Sequence, residues 1–510
     1  MGIILSDYKK SVIDEITNSI QTGNSSYYFF ASNPIKLTGP VSNVVNTDYQ
    51  TEFTSDWLML FGKKLANSNI VPVIRNIPWT ANTVYTRYDN TQNISNSNFY
   101  VIVSPTIPGG AYNIYKCIDN NSGAPSLYAP DQQQASSFTK SDGYTWRYIT
   151  SITSASYNSF STTQCVPVTP NTTIQSGASA YRGVEVIPVV SGGNGYSTYN
   201  SGTILSNPDQ YTIQISTSAN TSQDFYSKSS VYIYNIASST SQLIRISRYF
   251  SNSSGNWAIL SSPANTNNIE PSITQYIISP TVNISTNGNI PPKAYSVVNT
   301  SSNSIQSIVI IDPGSGVTWA NANIVANNTF GSGANLYCIV PPPGGHGSNP
   351  ASELYCQGLG LSITISNNES NTISTNLSYN RIGLLKNPYY SANGVKSTTP
   401  FTSNTFSSLL YCNTSGGIAY TVGDTVIGSV SNSSGIVVSS NSSVLTLTGD
   451  QAFVNAEYIT SVSTSISSQI NINKFSDIYT GDIRPLYVQN ISDVTRSNTQ
   501  SESFKLVIQI

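Results

Sequence analysis

The sequence predicts a mainly β, multidomain protein: an α+β domain formed by N- and C-terminal segments, with antiparallel β-sandwich or barrel modules inserted between them. Three observations carry this. Charged residues make up only 9% of the 510-residue chain, against roughly 25% in an average soluble domain. The polar share is Ser, Asn and Thr instead, beside 33 Tyr. Ser, Thr and Asn compete with helical backbone hydrogen bonds, whereas Tyr and Thr suit strands. Helical spacing is confined to the N-terminal region, and from about residue 175 short strands are punctuated by glycine. A chain of this length exceeds one hydrophobic core and predicts about two to four domains.

The first element is a helix. Ser6 or Asp7 caps it, Val12, Ile13, Ile16 and Ile20 recur at helical spacing, and Gly23 ends the pattern. Tyr27-Tyr28-Phe29-Phe30-Ala31 reads as an aromatic strand stopped by Asn33-Pro34. A second helix is predicted from about Thr54, with Trp57, Leu58, Phe61 and Leu65 on one face. Val71 to Arg75 follows as a strand whose Pro72 argues for an edge or a strand start. Phe99 to Val103 is a short buried strand.

Tyr112 to Ile149 organises this region. Tyr112 to Asp119 and Asp142 to Ile149 both alternate large apolar with polar residues, the period of a strand with one buried face. Asn120 to Pro125 and a Gln-rich segment between them predict a long surface loop joining two paired strands. Asp142-Gly143 is a turn dipeptide.

Beyond residue 175 a weak internal repeat emerges. Val186 to Tyr196 resembles Ser307 to Val317, each a strand running into a glycine turn that requires φ > 0. Two copies are too few for a solenoid. They predict two related β-modules, or one module interrupted by the strands of residues 210–280. Pro341 to Pro350 is too rich in proline and glycine for a helix or central strand, so 341–395 reads as a connector. Residues 408–472 read as a small β-barrel or sandwich. Phe504 to Ile510 is apolar enough to require pairing in a sheet, and is expected to return to the N-terminal region. The predicted organisation is 1–170 plus 476–510 as the α+β domain, 171–340 as inserted β-modules, 341–395 as connector and 396–475 as the barrel or sandwich.

The chain carries few residues suited to chemistry. His346 is the only histidine, in a Pro/Gly loop without a nucleophile signature, and is expected to hydrogen-bond neighbouring backbone. Paired carboxylates would suffice for a glycosidase, and Asp142, Glu185, Asp312 and Glu353 are candidates by position. Asp142 and Asp312 read better as turn formers. Gly192-Gly193-Asn194-Gly195 lacks the helix and the Lys-Ser/Thr of a phosphate loop. Cys117, Cys165, Cys338, Cys356 and Cys412 are widely spaced without C-x-x-C, which predicts buried free thiols and no metal site. A net charge of −2 without a basic run excludes an electrostatic footprint for nucleic acid. No secretory signal or apolar run of the ~20 residues a membrane span needs is visible. Met1 to Ser6 matches the N-myristoylation pattern, a match of low specificity.

Several separated pieces, in order, resemble the baseplate wedge subunit of contractile-tailed phages of the T-even type, in its longer cyanophage-like version. They are Tyr27 to Phe30 with the Trp57 helix, Ile74-Arg75-Asn76-Ile77-Pro78-Trp79, Thr83-Val84-Tyr85-Thr86-Arg87-Tyr88-Asp89, Tyr115-Lys116-Cys117-Ile118-Asp119 and Asp142-Gly143-Tyr144-Thr145-Trp146-Arg147-Tyr148. Pro343-Gly344-Gly345-His346-Gly347, Arg381 to Pro388 with Gly383 and Asn387, and the segment from Gly481 follow. There the family has Gly-Glu-Ile and an Asn-Arg pair; this chain has Gly481-Asp482-Ile483 and Asn490-Ile491. The resemblance implies a structural protein of the virion, assembled in the host bacterial cytoplasm. It implies a homodimer contacting other wedge proteins, with no catalytic residues, cofactor, nucleic acid or membrane insertion. It also implies that N- and C-terminal segments form one domain around inserted β-domains. The alternative from another class is a tail spike that binds or cleaves polysaccharide, with glycan binding by 171–340 as a further option.

Overall fold

The computed structural model describes residues 6–23, 25–34, 49–325, 331–375, 377–479, 481–488, 497 and 499–509, and the protein is mainly β and multidomain. The myristoylation pattern and Asn490-Ile491 lie outside the described residues. Two units emerge. One comprises Met1–Arg75, Ala155–Pro167 and Cys356–Ile510; the other comprises Asn76–Ser154 and Val168–Tyr355. This grouping differs from the expected segments, because 76–154 joins 168–355 and not the N-terminal strands.

In the first unit, helix Ser6–Gln21 buries Ile13. An antiparallel five-stranded sheet runs in the order Thr405–Ser407, Met59–Lys64, Tyr27–Ser32, Arg381–Lys386, Asp482–Val488. A four-stranded sheet runs Ser501–Gln509, Gly358–Ser366, Ile70–Arg75, Cys165–Pro167. Phe29 of the first meets Phe504 of the second at a ring-centroid distance of 4.5 Å. Tyr28 and Phe30, on the opposite face of their strand, pack on Met59, Leu385, Phe401 and Phe406. Both faces of Tyr27–Ser32 are therefore buried, which is why its sequence is continuously apolar. The C-terminal strand lies beside Gly358–Ser366, whose other neighbour is Ile70–Arg75.

Two elements of this unit differ from the sequence expectation. The helix over Trp57 spans Tyr49–Trp57, and Met59–Lys64 is a strand. Leu58, Met59, Leu60 and Phe61 are all buried; a run apolar on both faces mimics helical spacing without being helical. Ile70–Arg75 is an interior strand and not an edge, but pairing with Cys165–Pro167 begins only at Val73, past Pro72. The span 341–395, expected as a connector, divides between the units: the short helix Pro350–Glu353 lies in the second, and the strands Gly358–Ser366, Arg381–Lys386 and Tyr389–Ala392 lie in the first.

A closed antiparallel barrel completes this unit, in the order Leu410–Thr414, Val444–Gly449, Ser434–Ser440, Thr425–Gly428, Tyr458–Ser461, Ser467–Lys474. Its interior holds Leu410, Cys412, Val426, Val437, Leu445, Leu447 and Ile459. Closure leaves no free sheet edge.

The second unit holds three β-structures. Tyr100–Val103, Tyr112–Asn120, Tyr144–Ile152 and Phe138–Thr139 form a four-stranded sheet, so the predicted strand pair is present and the loop between its members supplies a short strand. Residues 200–279 form a seven-stranded sheet with its own core around Ile213, Val231, Tyr249 and Tyr276. Both repeat copies share a third core, including Val184, Ile187, Tyr196, Ile305 and Val317. The repeat thus belongs to one module interrupted by the seven-stranded sheet. Its glycine turns match: Gly193 and Gly195 have φ of 60° and 75°, Gly314 and Gly316 of 74° and 69°.

Candidate functional site

The paired strands Tyr112–Asn120 and Tyr144–Ile152 are buried on both faces. One face carries Tyr115, Cys117, Tyr144, Trp146 and Tyr148, packed with Tyr85 and Phe138. Trp146 stacks on Tyr144 at 5.5 Å and meets Tyr85 edge-on at 5.7 Å. The Tyr144 hydroxyl donates to the Ala124 carbonyl at 2.6 Å.

The other face carries two cations directly opposite one another, Lys116 and Arg147. Both are buried. Like charges opposed across a ladder repel, and a buried charge without a partner is strongly destabilising. Two glutamates from distant segments resolve this. Lys116 Nζ lies 2.9 Å from Glu353 Oε1, with side-chain exposures of 0% and 2%. Glu185 adds a second negative charge that acts on both cations.

His346 stands between the carboxylates. Its Nδ1 contacts Glu353 Oε1, and its Nε2 lies 2.8 Å from Glu185 Oε1. The second contact is close but out of line with the ring N–H, so Nε2 and Glu185 Oε2 lack an aligned hydrogen bond among the described residues. The ring also meets Tyr88 edge-on at 5.4 Å, and Lys116 Nζ sits 3.3 Å from the centroid of the same Tyr88 ring. A cation over a desolvated aromatic face is worth about 2 kcal/mol.

Local sequence explains how a histidine reaches the interior from a Pro/Gly loop. Gly344, Gly345 and Gly347 have φ of 83°, 90° and 77°, a region that L side chains rarely adopt. A Cβ on Gly345 would fall 2.2 Å from the Ala178 carbonyl oxygen. Gly347 N–H then donates to Glu353 Oε2 at 2.7 Å. Glu353 is fixed by the helix Pro350–Glu353, which Asn349 caps by accepting from Ser352 N–H and which Pro350 starts. Burial alone would push the Glu353 carboxyl up; Lys116, His346 and the Gly347 N–H outweigh it and hold it at about 2. Burial draws Lys116 down, against the pull of Glu353 and Glu185.

His346 therefore does not bond neighbouring backbone as expected: it faces two carboxylates. Of the four candidate carboxylates, Glu185 and Glu353 come together here and the other two do not. Asp142 accepts from the N–H groups of Leu127, Tyr128 and Tyr144, and Asp312 from that of Gly314. Both are turn formers, and Gly143 has φ 81°.

The other motif residues stand in varied local settings. Trp79 Nε1 donates to Ser126 Oγ at 3.2 Å, and Pro78 bridges to Ile102. Arg87 lies near Asp89 and Asp119. In the first unit, the Trp57 carbonyl accepts from Thr448 Oγ1, Arg75 pairs with Cys165, and Gly383 pairs with Phe30. Asn387 has φ 50° and its side chain accepts from Ser26 N–H, while Gly481 lies too close to the Lys386 carbonyl for a Cβ. All five cysteines are buried free thiols.

Lys116 and Arg147 lie inside the motifs, and no local pattern assigns them a role. The available signal was a cation at the centre of each strongly apolar strand in a chain with few charges. Compared with protein-family models and with curated proteins, the chain matches none.

Proposed function

We propose that this chain is a structural subunit of the tail baseplate wedge of a contractile-tailed bacteriophage. It is a homodimer that assembles with other wedge proteins in the host cytoplasm and acts through protein–protein contacts, not catalysis. The observation that supports this reading is a convergence. Tyr88, Lys116, Arg147 and His346 come from four separate segments on which the wedge-subunit resemblance rests, and they meet in one cluster. There Lys116 and His346 face the carboxylates of Glu353 and Glu185 inside the fold, shut from solvent. Such closure suits a rigid frame that must carry load, whereas a reaction centre must admit a substrate.

The surface is consistent with assembly. Val84, Leu127, Tyr128 and Trp319 are exposed apolar side chains in a chain poor in charge, the composition that favours interface cores. The test is a density map of the intact virion together with sedimentation of the purified chain. Density in the baseplate wedge and a dimer in solution are expected. A stable trimer that depolymerises host glycan would overturn the reading in favour of a tail spike.

A further inference from the structure

We propose that a cleft in the first unit, between the hairpin Tyr389–Ala392/Val395–Pro400 and the end of the barrel strand Ser467–Lys474, binds a neutral oligosaccharide. The cleft measures about 630 Å³, within the range of roughly 300–1,000 Å³ typical of small-ligand sites.

Its walls are fixed in advance. The hairpin turns through Asn393-Gly394, with φ of 54° and 85°, the two-residue turn that matches strand twist. A Cβ on Gly394 would lie 2.1 Å from the Gln451 carbonyl oxygen, so Asn393 is held at the rim by a residue that must be glycine. Ser391 N–H donates to the Asp477 carbonyl at 3.1 Å and Tyr479 N–H to the Tyr389 carbonyl at 3.0 Å, tying the two walls together.

The lining fits sugar chemistry. Tyr390 and Phe475 line the cleft; Tyr390 packs on Phe401 with ring centroids 4.6 Å apart, and its hydroxyl lies 3.2 Å from Ser403 Oγ. Aromatic faces pack against the C–H face of a pyranose. Asn473 donates its amide to Asn413 Oδ1 at 2.9 Å, which leaves its own carbonyl oxygen as an acceptor for a hydroxyl. Asp477 Oδ2 accepts from Ser407 N–H at 2.8 Å and from Lys474 Nζ at 3.2 Å, which leaves Oδ1, 3.1 Å from the same ammonium, a lone pair for a hydroxyl. Charge selects the class: Lys474 and Asp477 pair at 3.1 Å and cancel, so the lining offers no unpaired cation for a phosphate or uronate.

This inference does not depend on the wedge reading. The test is calorimetric titration of the full chain with maltohexaose, cellohexaose, laminarihexaose and mannohexaose, with polygalacturonate as the anionic control. Binding of at least one neutral glycan with Kd of about 1 mM or tighter is expected. Tyr390→Ala should weaken it at least about tenfold. Because Tyr390 packs on Phe401, the exposed Asn473→Ala is the second variant, expected to weaken binding by a similar factor with the thermal transition unchanged. Tyr128→Ala, in the other unit, should bind as the unaltered chain does. Binding to none of the four glycans, preference for polygalacturonate, or undiminished binding by folded Asn473→Ala would each overturn the proposal.

Discussion

The two faces of the Tyr112–Asn120/Tyr144–Ile152 strand pair are equally dry and chemically opposite. On one, Tyr115, Tyr144, Trp146 and Tyr148 pack ring against ring. On the other, Lys116 pairs with Glu353, His346 lies between Glu353 and Glu185, and Arg147 stands opposite Lys116 within the field of both carboxylates. The aromatic face gains stability in proportion to area and tolerates partial loss. The charged face is satisfied only as a set, because each group left alone is a buried charge. One strand pair thus combines a graded contact with an all-or-none one.

The largest effects should come from cutting each face once. Glu353→Gln leaves two buried cations against one carboxylate and should destabilise the second unit by about 3–5 kcal/mol. Trp146→Ala should lose a similar ~3–5 kcal/mol through the cavity it leaves. Denaturant unfolding followed by Trp and Tyr fluorescence measures both. The faces differ in repair. Trp146→Phe should recover most of the loss because a ring still fills the space. Adding Lys116→Met to Glu353→Gln should also restore stability, because the unpaired cation is gone. A double variant no more stable than Glu353→Gln would show that the charges are not coupled as described.

Acid separates the faces next. The Glu353 carboxyl titrates near 2 in the fold against an ordinary 4.5. A depressed carboxylate stabilises the fold fully above its unfolded value and loses that contribution as pH falls through its folded value. The stability difference between the unaltered chain and Glu353→Gln should therefore be constant above about pH 5 and shrink toward pH 2. Trp146→Ala should show no such convergence. Parallel pH series of unfolding midpoints would reveal it.

How much of this was legible depends on how many faces a strand buries. The strand pair itself could be read because each end alternates, and the glycine turns of the repeat because φ > 0 admits few other residues. The helix predicted across Leu58 to Leu65 was misread because Met59–Lys64 is buried on both sides through most of its length. Periodicity carries information only when water lies on one side. The charged cluster was legible in its parts and not in its assembly. Glu353 and Glu185 reach His346 from 7 and 161 residues away (353 − 346 and 346 − 185), and no local pattern encodes such a meeting. The closure of the barrel was open in the sequence for the same reason, since Leu410–Thr414 and Ser467–Lys474 pair only across the whole module.

A smaller effect should come from the ring that the charged set shares. Tyr88→Leu removes the π face under Lys116 and the edge contact with His346 and should cost about 2 kcal/mol. Tyr88→Phe keeps the ring and should be nearly neutral.

The smallest effect belongs to a carboxylate outside both faces. Asp142 accepts three backbone N–H groups from Leu127, Tyr128 and Tyr144 in the loop before its strand. Those donors hold its carboxyl below the ordinary range despite the opposing effect of burial. Asp142→Asn keeps one carbonyl acceptor and introduces an amide that cannot accept, so it should lose only about 1 kcal/mol. Hydrogen exchange should speed up at Leu127 and Tyr128 and stay unchanged at Lys116 and Arg147. Faster exchange at Lys116 would mean that the loop and the charged face open together, and that the strand pair is one cooperative unit instead of two faces with separate tolerances.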